Sequence, residues 1–577
     1  MAAAPKFPAL SAPRYALLAV VLGMVAGLAA YVFRLLIAVF HNLLLLGKLS
    51  ASYDTNAHTP PSPWGLAVVL VPAVAALLVV FLVDRWAPEA KGHGVPEIMD
   101  AIYYRAGFIR PIVGLIKSIA SALSIGSGGS VGREGPIAQI GAAFGSWVGR
   151  FTHASRWQVV TLVAAGGGAG IAATFNTPIG GVLFAAEVLM SEISVRTLVP
   201  VTLATATATF VGRWLFGNHP AFSIPPVQMP ATTKLVLLPA YAVLGVLAAA
   251  AAALFIKTLY ATEDRLEARI RNDYLRHVLG MLGVGILMVI LQRTLGHYYV
   301  EGVGYAGVMD VLLGTLANPW VLLLLFALKL ASTCLTLGSG ASGGVFSPSL
   351  FIGATLGGAY GIALHAIFPG LELDPTSLAL AGMAGMVAGT TGAALTAIVM
   401  IFEMTLDYSV VLPMTLTVAV AHGLRQRLIA DSIYTLKLTR RGHLLPRAMQ
   451  AAMYFAHQLG SIPRTAVATL PGDAAPARLD QLTEPYAVIV EGDHVTGVIE
   501  RARLDADRAR GARSVADLAN VAHVVLPPDS AVATALVAAR QADAVLVVVA
   551  RRRDALGVVT RAQLADAVAD ELAVLAD

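Results

Sequence analysis

The sequence predicts an all-α polytopic membrane protein of two related halves with broken helices, followed by a small α/β domain. Three observations carry this. Of 577 residues, 57% are hydrophobic and only 13% charged, with a mean hydropathy of +0.73; a soluble domain carries roughly 25% charge. The glycine-rich stretch SGGSVGREGPIAQIGAAFG (127–145) recurs as SGASGGVFSPSLFIGATLG (339–357). Near residue 440 the composition turns from apolar to charged and β-rich.

The first observation gives the spans. Tyr15–Phe33, Trp64–Val83, Gln158–Ala186, Leu235–Ile256 and Pro375–Phe402 are free of charge, and each approaches or exceeds the ~20 residues that cross a hydrocarbon core as helix. Their Gly and Ala content suits close helix packing in lipid. The first run is flanked by Arg14 and Arg34 and lacks a small-residue cleavage site, so it reads as a span and not as a signal peptide. The single cysteine, Cys334, excludes an intrachain disulfide framework. The net charge of +5 is spread thinly, as orientation by basic loops would produce, and no basic patch supports nucleic-acid binding.

The second observation gives the site. At a constant offset of 212, Ser127, Gly128, Ser130, Gly132, Pro136, Gly141, Ala142 and Gly145 meet Ser339, Gly340, Ser342, Gly344, Pro348, Gly353, Ala354 and Gly357. At an offset of 216, Gly166, Ala172, Thr174 and Glu187 meet Gly382, Ala388, Thr390 and Glu403. The membrane part is thus two repeats, roughly 1–220 and 230–440, and paired interrupted helices point to a central transport site. Each motif reads as a loop leading into a helix whose first turn holds proline. Irregular backbone at membrane depth is tolerated only around a cavity or inside protein. Helix N-termini offer free N–H groups and about half a positive charge, so two converging ends would hold a small anion without a fixed cation.

Arg133 and Glu134 sit in the first motif, where the second has Val345 and Phe346. An ionised Glu134 would compete with the anion for the same N–H groups and vacate them on protonation, a gate sensitive to pH and voltage. The plainer reading is a buried Arg133–Glu134 salt bridge, which the second repeat does without.

GREGP (132–136), SGGVFSP (342–348), GHGVPE (92–97) and DSIYTLKL (431–438) resemble, in order, the signature segments of the CLC chloride channels and transporters, and the tail resembles a pair of CBS modules. The resemblance implies an inverted-repeat membrane fold and a homodimer with one chloride pathway per subunit. It implies that Glu134 is the gate, that backbone N–H groups around Gly135, Val345 and Phe346 hold the anion, and that the Tyr434 hydroxyl closes its inner side. Lys117 matches a residue that makes the pathway electropositive, with Arg133 adding to the field; a snorkelling lysine is the bland alternative.

Two departures stand out. His93 occupies the place of a serine whose hydroxyl meets the central anion. An imidazole donates one hydrogen bond when neutral and two when charged, which would make binding pH-sensitive, unless the ring turns away. Val188 replaces the inner proton-transfer glutamate of many exchangers. That favours a passive, gated channel; the alternative is a chloride/proton antiporter lacking the usual relay, for which Glu187 could substitute.

Domain limits follow at 1–440 for the membrane part and 441–577 for a cytoplasmic tail, with modules at 458–506 and 512–572. In the tail, Thr560 falls at a ribose-contact position, but Gln563 and Glu500 depart from the nucleotide-binding pattern, so the tail reads as dimerising and gating. Arg551–Arg553 reads as a solvated turn. Glu403 with Asp407 reads as structural and not as a paired-carboxylate site. No HExxH, CxxC or other metal spacing occurs. No cofactor is called for, and no nucleophile–base pair near Glu134 supports an intramembrane enzyme; a scaffold without flux is the remaining class. Plasma or bacterial inner membrane is the expected location.

Overall fold

The computed structural model describes residues 9–191, 194–218, 221–222, 237–370, 374–443, 445, 458–504, 512–551 and 554–567; Arg552, Arg553 and the far ends of both expected tail modules lie outside them. The chain forms two compact units, one of residues 1–102 and 107–443 and one of residues 103–106 and 444–577.

The first unit is helical. In its N-terminal half lie α1 (Ala12–Leu46), α2 (Leu70–Trp86), α3 (Val95–Tyr104), α4 (Pro111–Gly126), α5 (Glu134–Phe151), α6 (Arg156–Phe175), α7 (Pro178–Phe184) and α8 (Val195–Phe216). The C-terminal half holds α9 (Leu238–Arg269), α10 (Asp273–Leu295), α11 (Tyr305–Leu312), α12 (Pro319–Ser339), α13 (Phe346–Ile367), α14 (Pro375–Thr391), α15 (Ala394–Thr405), α16 (Val411–Leu428) and α17 (Thr435–Arg440). Eight of the described helices are long and apolar enough to cross a membrane.

Two of the runs expected to be single spans are broken in two. Gln158–Ala186 divides at Asn176, which takes a left-handed conformation (φ 61°) before Pro178 opens α7. Pro375–Phe402 divides at Gly392 (φ 82°), after which α15 begins. A left-handed residue ends each first helix by turning the chain off the helical path. Beyond α7, Ala185–Met190 widens into a π-helical turn.

The shared glycines of the repeats serve backbone approach. A Cβ on Gly141 would overlap the carbonyl oxygen of Gly166, and one on Gly166 would overlap that of Gly141. Gly353 and Gly382 repeat this reciprocal contact between α13 and α14. Glycine alone lets the helix axes come this close.

The second unit holds two three-stranded sheets. In one, β1 (Val467–Pro471) runs parallel to β2 (Tyr486–Glu491), which pairs antiparallel with β3 (His494–Glu500). In the other, β4 (His523–Leu526) precedes α18 (Val532–Gln541), runs parallel to β5 (Leu546–Arg551), and β5 pairs antiparallel with β6 (Asp554–Thr560). Both hairpins carry a register shift at the same place, Ile489/Val490 and Val549/Ala550. Val488 and Val498 pack with Leu546, Val548 and Val558 in one core joining the two sheets. The rhythm of strand, turn and Gly-Val-(Val/Ile) is therefore a structural repeat.

Candidate anion pathway

The two glycine-rich motifs meet. Gly132 and Gly344 exchange backbone hydrogen bonds of 2.7 and 2.6 Å in a single antiparallel bridge, which brings the N-termini of α5 and α13 together. Arg133 and Val345 precede these helices with nearly the same backbone angles (φ −94°, ψ −10° and φ −105°, ψ −9°). The first N–H groups of a helix have no partner within it, so Glu134, Gly135, Val345 and Phe346 stand where unpaired donors converge. All four are buried.

Glu134 is 1% exposed. Its carboxylate turns to the opposite repeat rather than to Arg133. Tyr305 Oη donates to Oε1 at 2.7 Å, Ser347 Oγ donates to the same oxygen, and the Ser347 N–H donates to Oε2 at 3.3 Å. The carboxylate thus occupies a donor of the α13 N-terminus. Arg133 instead lays its guanidinium over the Tyr305 ring, 5.4 Å from the centroid.

A third loop joins from below. Gly92 accepts from the Gly343 N–H at 3.2 Å and donates to Ala341 O at 3.0 Å. Gly94 (φ 82°) could not carry a side chain, since a Cβ would lie 3.0 Å from Gly135 O and 2.9 Å from Gln139 Oε1. Between them His93 is 4% exposed. Its ring centroid lies 5.8 Å from that of Tyr434, Nε2 is 3.4 Å from Tyr260 Oη, and Nδ1 has no partner. Tyr260 donates to Ile433 O at 2.6 Å, so in the contact with His93 its oxygen is placed to accept from a protonated Nε2. Tyr434, itself 3% exposed, immediately precedes α17. Glu134, Gly135, Val345, Phe346, His93 and Tyr434, separated by up to 341 positions in sequence, are brought to one place.

Lys117 is fully buried and donates to Ala90 O (2.9 Å) and Gly92 O (2.7 Å), so it does not snorkel. It clamps the His93 loop. Lys329, 212 residues on, donates to Val300 O (3.1 Å) and Gly302 O (2.8 Å), clamping the loop before Tyr305. The repeat offset pairs these lysines in the sequence.

Val188 lies buried in the π-helical turn. Its neighbour Glu187 accepts from the N–H groups of Leu395 (3.2 Å) and Thr396 (2.8 Å) and from Thr396 Oγ1 (2.7 Å). Glu403 accepts from the N–H groups of Ile179 (3.1 Å) and Gly180 (2.7 Å). Each glutamate caps the helix that opens the corresponding segment of the other repeat. Asp407 bonds Ser409 instead. In the tail, Thr560 Oγ1 and Gln563 close on each other, and Glu500 pairs with Arg503 at 2.8 Å.

The family model described as "Voltage gated chloride channel" matches residues 75–426. The putative chloride channel protein ClcB-like of Ralstonia nicotianae is 34% identical over 388 residues, 66% of this chain and 86% of that protein. The H(+)/Cl(-) exchange transporter ClcA of Vibrio parahaemolyticus is 33% identical over 394 residues, 66% of this chain and 80% of that protein. Among solved structures, a slow cyanobacterial Cl−/H+ antiporter superposes with a TM-score of 0.63 at 27% identity, covering 75% of this chain and 99% of that one. A eukaryotic CLC transporter superposes with a TM-score of 0.63 at 21% identity over 96% of this chain and 98% of that one, a likeness of fold that includes the tail. The chain belongs to the CLC family, the voltage-gated chloride channel family of integral membrane anion-transport proteins, and is not an enzyme.

Proposed function

We propose that this protein exchanges chloride for protons across the membrane, with Glu134 as the gate. The observation that carries the reading is the Glu134 carboxylate lying on the Ser347 N–H at the α13 N-terminus, next to the Val345 and Phe346 N–H groups proposed to hold chloride. Ionised, the carboxylate excludes the anion by placing a negative charge beside its donors; protonated, it loses the charge that binds it there and yields the site. Anion entry and proton uptake are thereby linked at one residue. Chloride would lie between the N–H groups of Gly135, Val345 and Phe346 and the aromatic floor of His93 and Tyr434, with Arg133 and Lys117 holding the region electropositive. Relatives that align over two thirds of the chain and are named as H(+)/Cl(-) exchangers favour exchange over the passive channel expected from Val188.

The channel is the second reading, and Val188 is the observation that favours it, because valine carries no proton. Glu187 is a poor substitute: three donors already hold its carboxylate. Exchange would therefore need water, or the His93 ring, on the inner side. Purified protein in liposomes under opposed chloride and proton gradients separates the two. A reversal potential that moves with the proton gradient supports exchange; one fixed by chloride alone sinks it.

Sidedness supports a plasma or bacterial inner membrane with the tail in the cytoplasm. Arg85, Lys91, Arg265, Arg269, Arg271, Arg276, Arg425 and Arg427 crowd the face linked by Lys91 with Glu267 and Asp273. The opposite loops, 47–64, 296–304 and 313–318, contain Lys48 as their one lysine or arginine. Basic loops stay inside, and α17 leads from the basic face into the tail. The reading includes a homodimer with one pathway per subunit and a CBS-like pair of modules, within 458–506 and 512–572, that dimerises the tail. The mutual closure of Thr560 and Gln563 argues against adenine nucleotide there.

A further inference from the structure

The gate carboxylate is held by more than backbone. Tyr305 is 1% exposed, and its ring packs edge-on against Phe222 at 5.2 Å and beneath the Arg133 guanidinium. Phenylalanine would fill that space equally well; the hydroxyl is spent on Glu134 Oε1 and lies 2.9 Å from Ser347 Oγ. Ser347 is fully buried and adds its own hydroxyl to the same oxygen. Neither hydroxyl is required by the fold, because the other repeat lacks both. Gly135 stands at the position of Ser347, and in the parallel run of Gly92–Val95 with Gly302–Tyr305 a valine stands at the position of Tyr305.

We infer that Tyr305 and Ser347 form a hydroxyl latch on Glu134 that sets how acidic the solution must be before the gate opens. This rests on the reading of Glu134 as the gate and assigns two positioning residues to it. An ionised carboxylate accepts all three donors. Protonation puts a hydrogen on one oxygen and leaves at least one of the donors facing it without an acceptor. Hydrogen bonds to the charged form favour that form, so the latch holds the gate ionised and closed to lower pH. The charged and titratable groups around Glu134 are Arg133 on its own segment, Lys329 from α12, Tyr305 from α11 and Tyr434 before α17. Arg133, and Lys329 when it is protonated, also favour the ionised carboxylate, and neither touches the hydroxyls that are removed. The latch is stiffly mounted, since Lys329 ties down the loop that leads into Tyr305.

The test is chloride efflux from proteoliposomes as a function of pH for wild type, Tyr305→Phe, Ser347→Ala and Glu134→Gln. Each hydroxyl removed should move the midpoint of acid activation upward by roughly one pH unit, the worth of one bond to a charged group, with the acid plateau kept. On the Glu134→Gln background, Tyr305→Phe should leave the flat profile as it is. If Glu134→Gln abolishes the pH dependence while both hydroxyl variants keep the wild-type midpoint, the latch is wrong and the gate stands. If Glu134→Gln keeps the wild-type profile, the gate reading falls and the latch with it.

Discussion

The two membrane repeats are built from the same parts and put them to different uses. Each has a glycine bridge leading into a helix N-terminus, at α5 and α13; each has a buried lysine clamping the loop ahead, Lys117 and Lys329; each has a glutamate capping the other half, Glu187 and Glu403. They diverge where chemistry is needed. Glu134 faces Phe346, Gly135 faces Ser347, and Val95 faces Tyr305 as repeat partners. The shared residues position backbone, and the unshared ones supply the buried carboxylate and its two hydroxyl partners. Duplication thus supplies two converging N-termini, and substitution in one copy at a time supplies the carboxylate that lies between them.

The largest effect should come from breaking the most asymmetric position. Glu134→Gln should raise chloride flux at neutral pH on the order of tenfold or more, because the charged hydrogen-bond acceptor that holds the gate shut is lost. The same liposome assay should show no further acid activation; a flux still low at neutral pH would mean that another group blocks the path.

Next come the lysines, where the repeats are alike and the variants should part only in function. Lys117→Met and Lys329→Met each strand two buried carbonyls, at a cost of about 3 kcal/mol in stability. Both should therefore lower the melting temperature in detergent comparably. Only Lys117→Met should also weaken chloride binding in calorimetry, since Lys117 underlies the His93 loop. Equal binding losses would erase the distinction between clamp and field.

The reciprocal caps should matter less. Glu187→Gln and Glu403→Gln keep an acceptor and lose a charge at a helix N-terminus, about 1 kcal/mol each. Neither should alter the reversal potential under a proton gradient. A loss of coupling in Glu187→Gln alone would restore Glu187 as the inner relay.

The smallest effect lies in the tail. Asp517 accepts from the N–H groups of Ser514 and Arg513, which hold its carboxyl below the usual carboxylate range. Its stabilisation is present above the ordinary aspartate pKa and fades as pH falls through the lowered value. Hydrogen exchange at residues 513–518 of the full-length protein should therefore quicken slightly on acidification, and Asp517→Asn should remove that pH dependence.

Much of this was legible in the sequence for a physical reason: the repeat is kept at positions where backbone geometry admits only Gly or Pro. The offset of 212 located both N-termini, and the mismatch of Glu134 with Phe346 singled out the carboxylate that lies between them. Ser347 was in view inside SGGVFSP, but nothing local tells a serine which carboxylate it will meet. Tyr305 left no trace, since its partner lies 171 residues away. Lys329 was findable by extending the same offset from Lys117. The pairing of Glu187 with Glu403 was visible as an alignment, yet their crossing into each other's half is a property of the folded topology. Two long apolar runs read as single spans because hydropathy does not register a lone left-handed residue such as Asn176 or Gly392.

The crossed caps bear on how the chain is made. The N–H groups of Ile179 and Gly180 leave the ribosome more than two hundred residues before Glu403, the carboxylate that will cap them. Through that interval the start of α7 waits in the bilayer without its acceptor, and the first half cannot reach its final form alone. Glu187, already synthesised, waits equally for Leu395 and Thr396. Each half thus completes the helix starts of the other, and neither set of caps can close before the second repeat has been made.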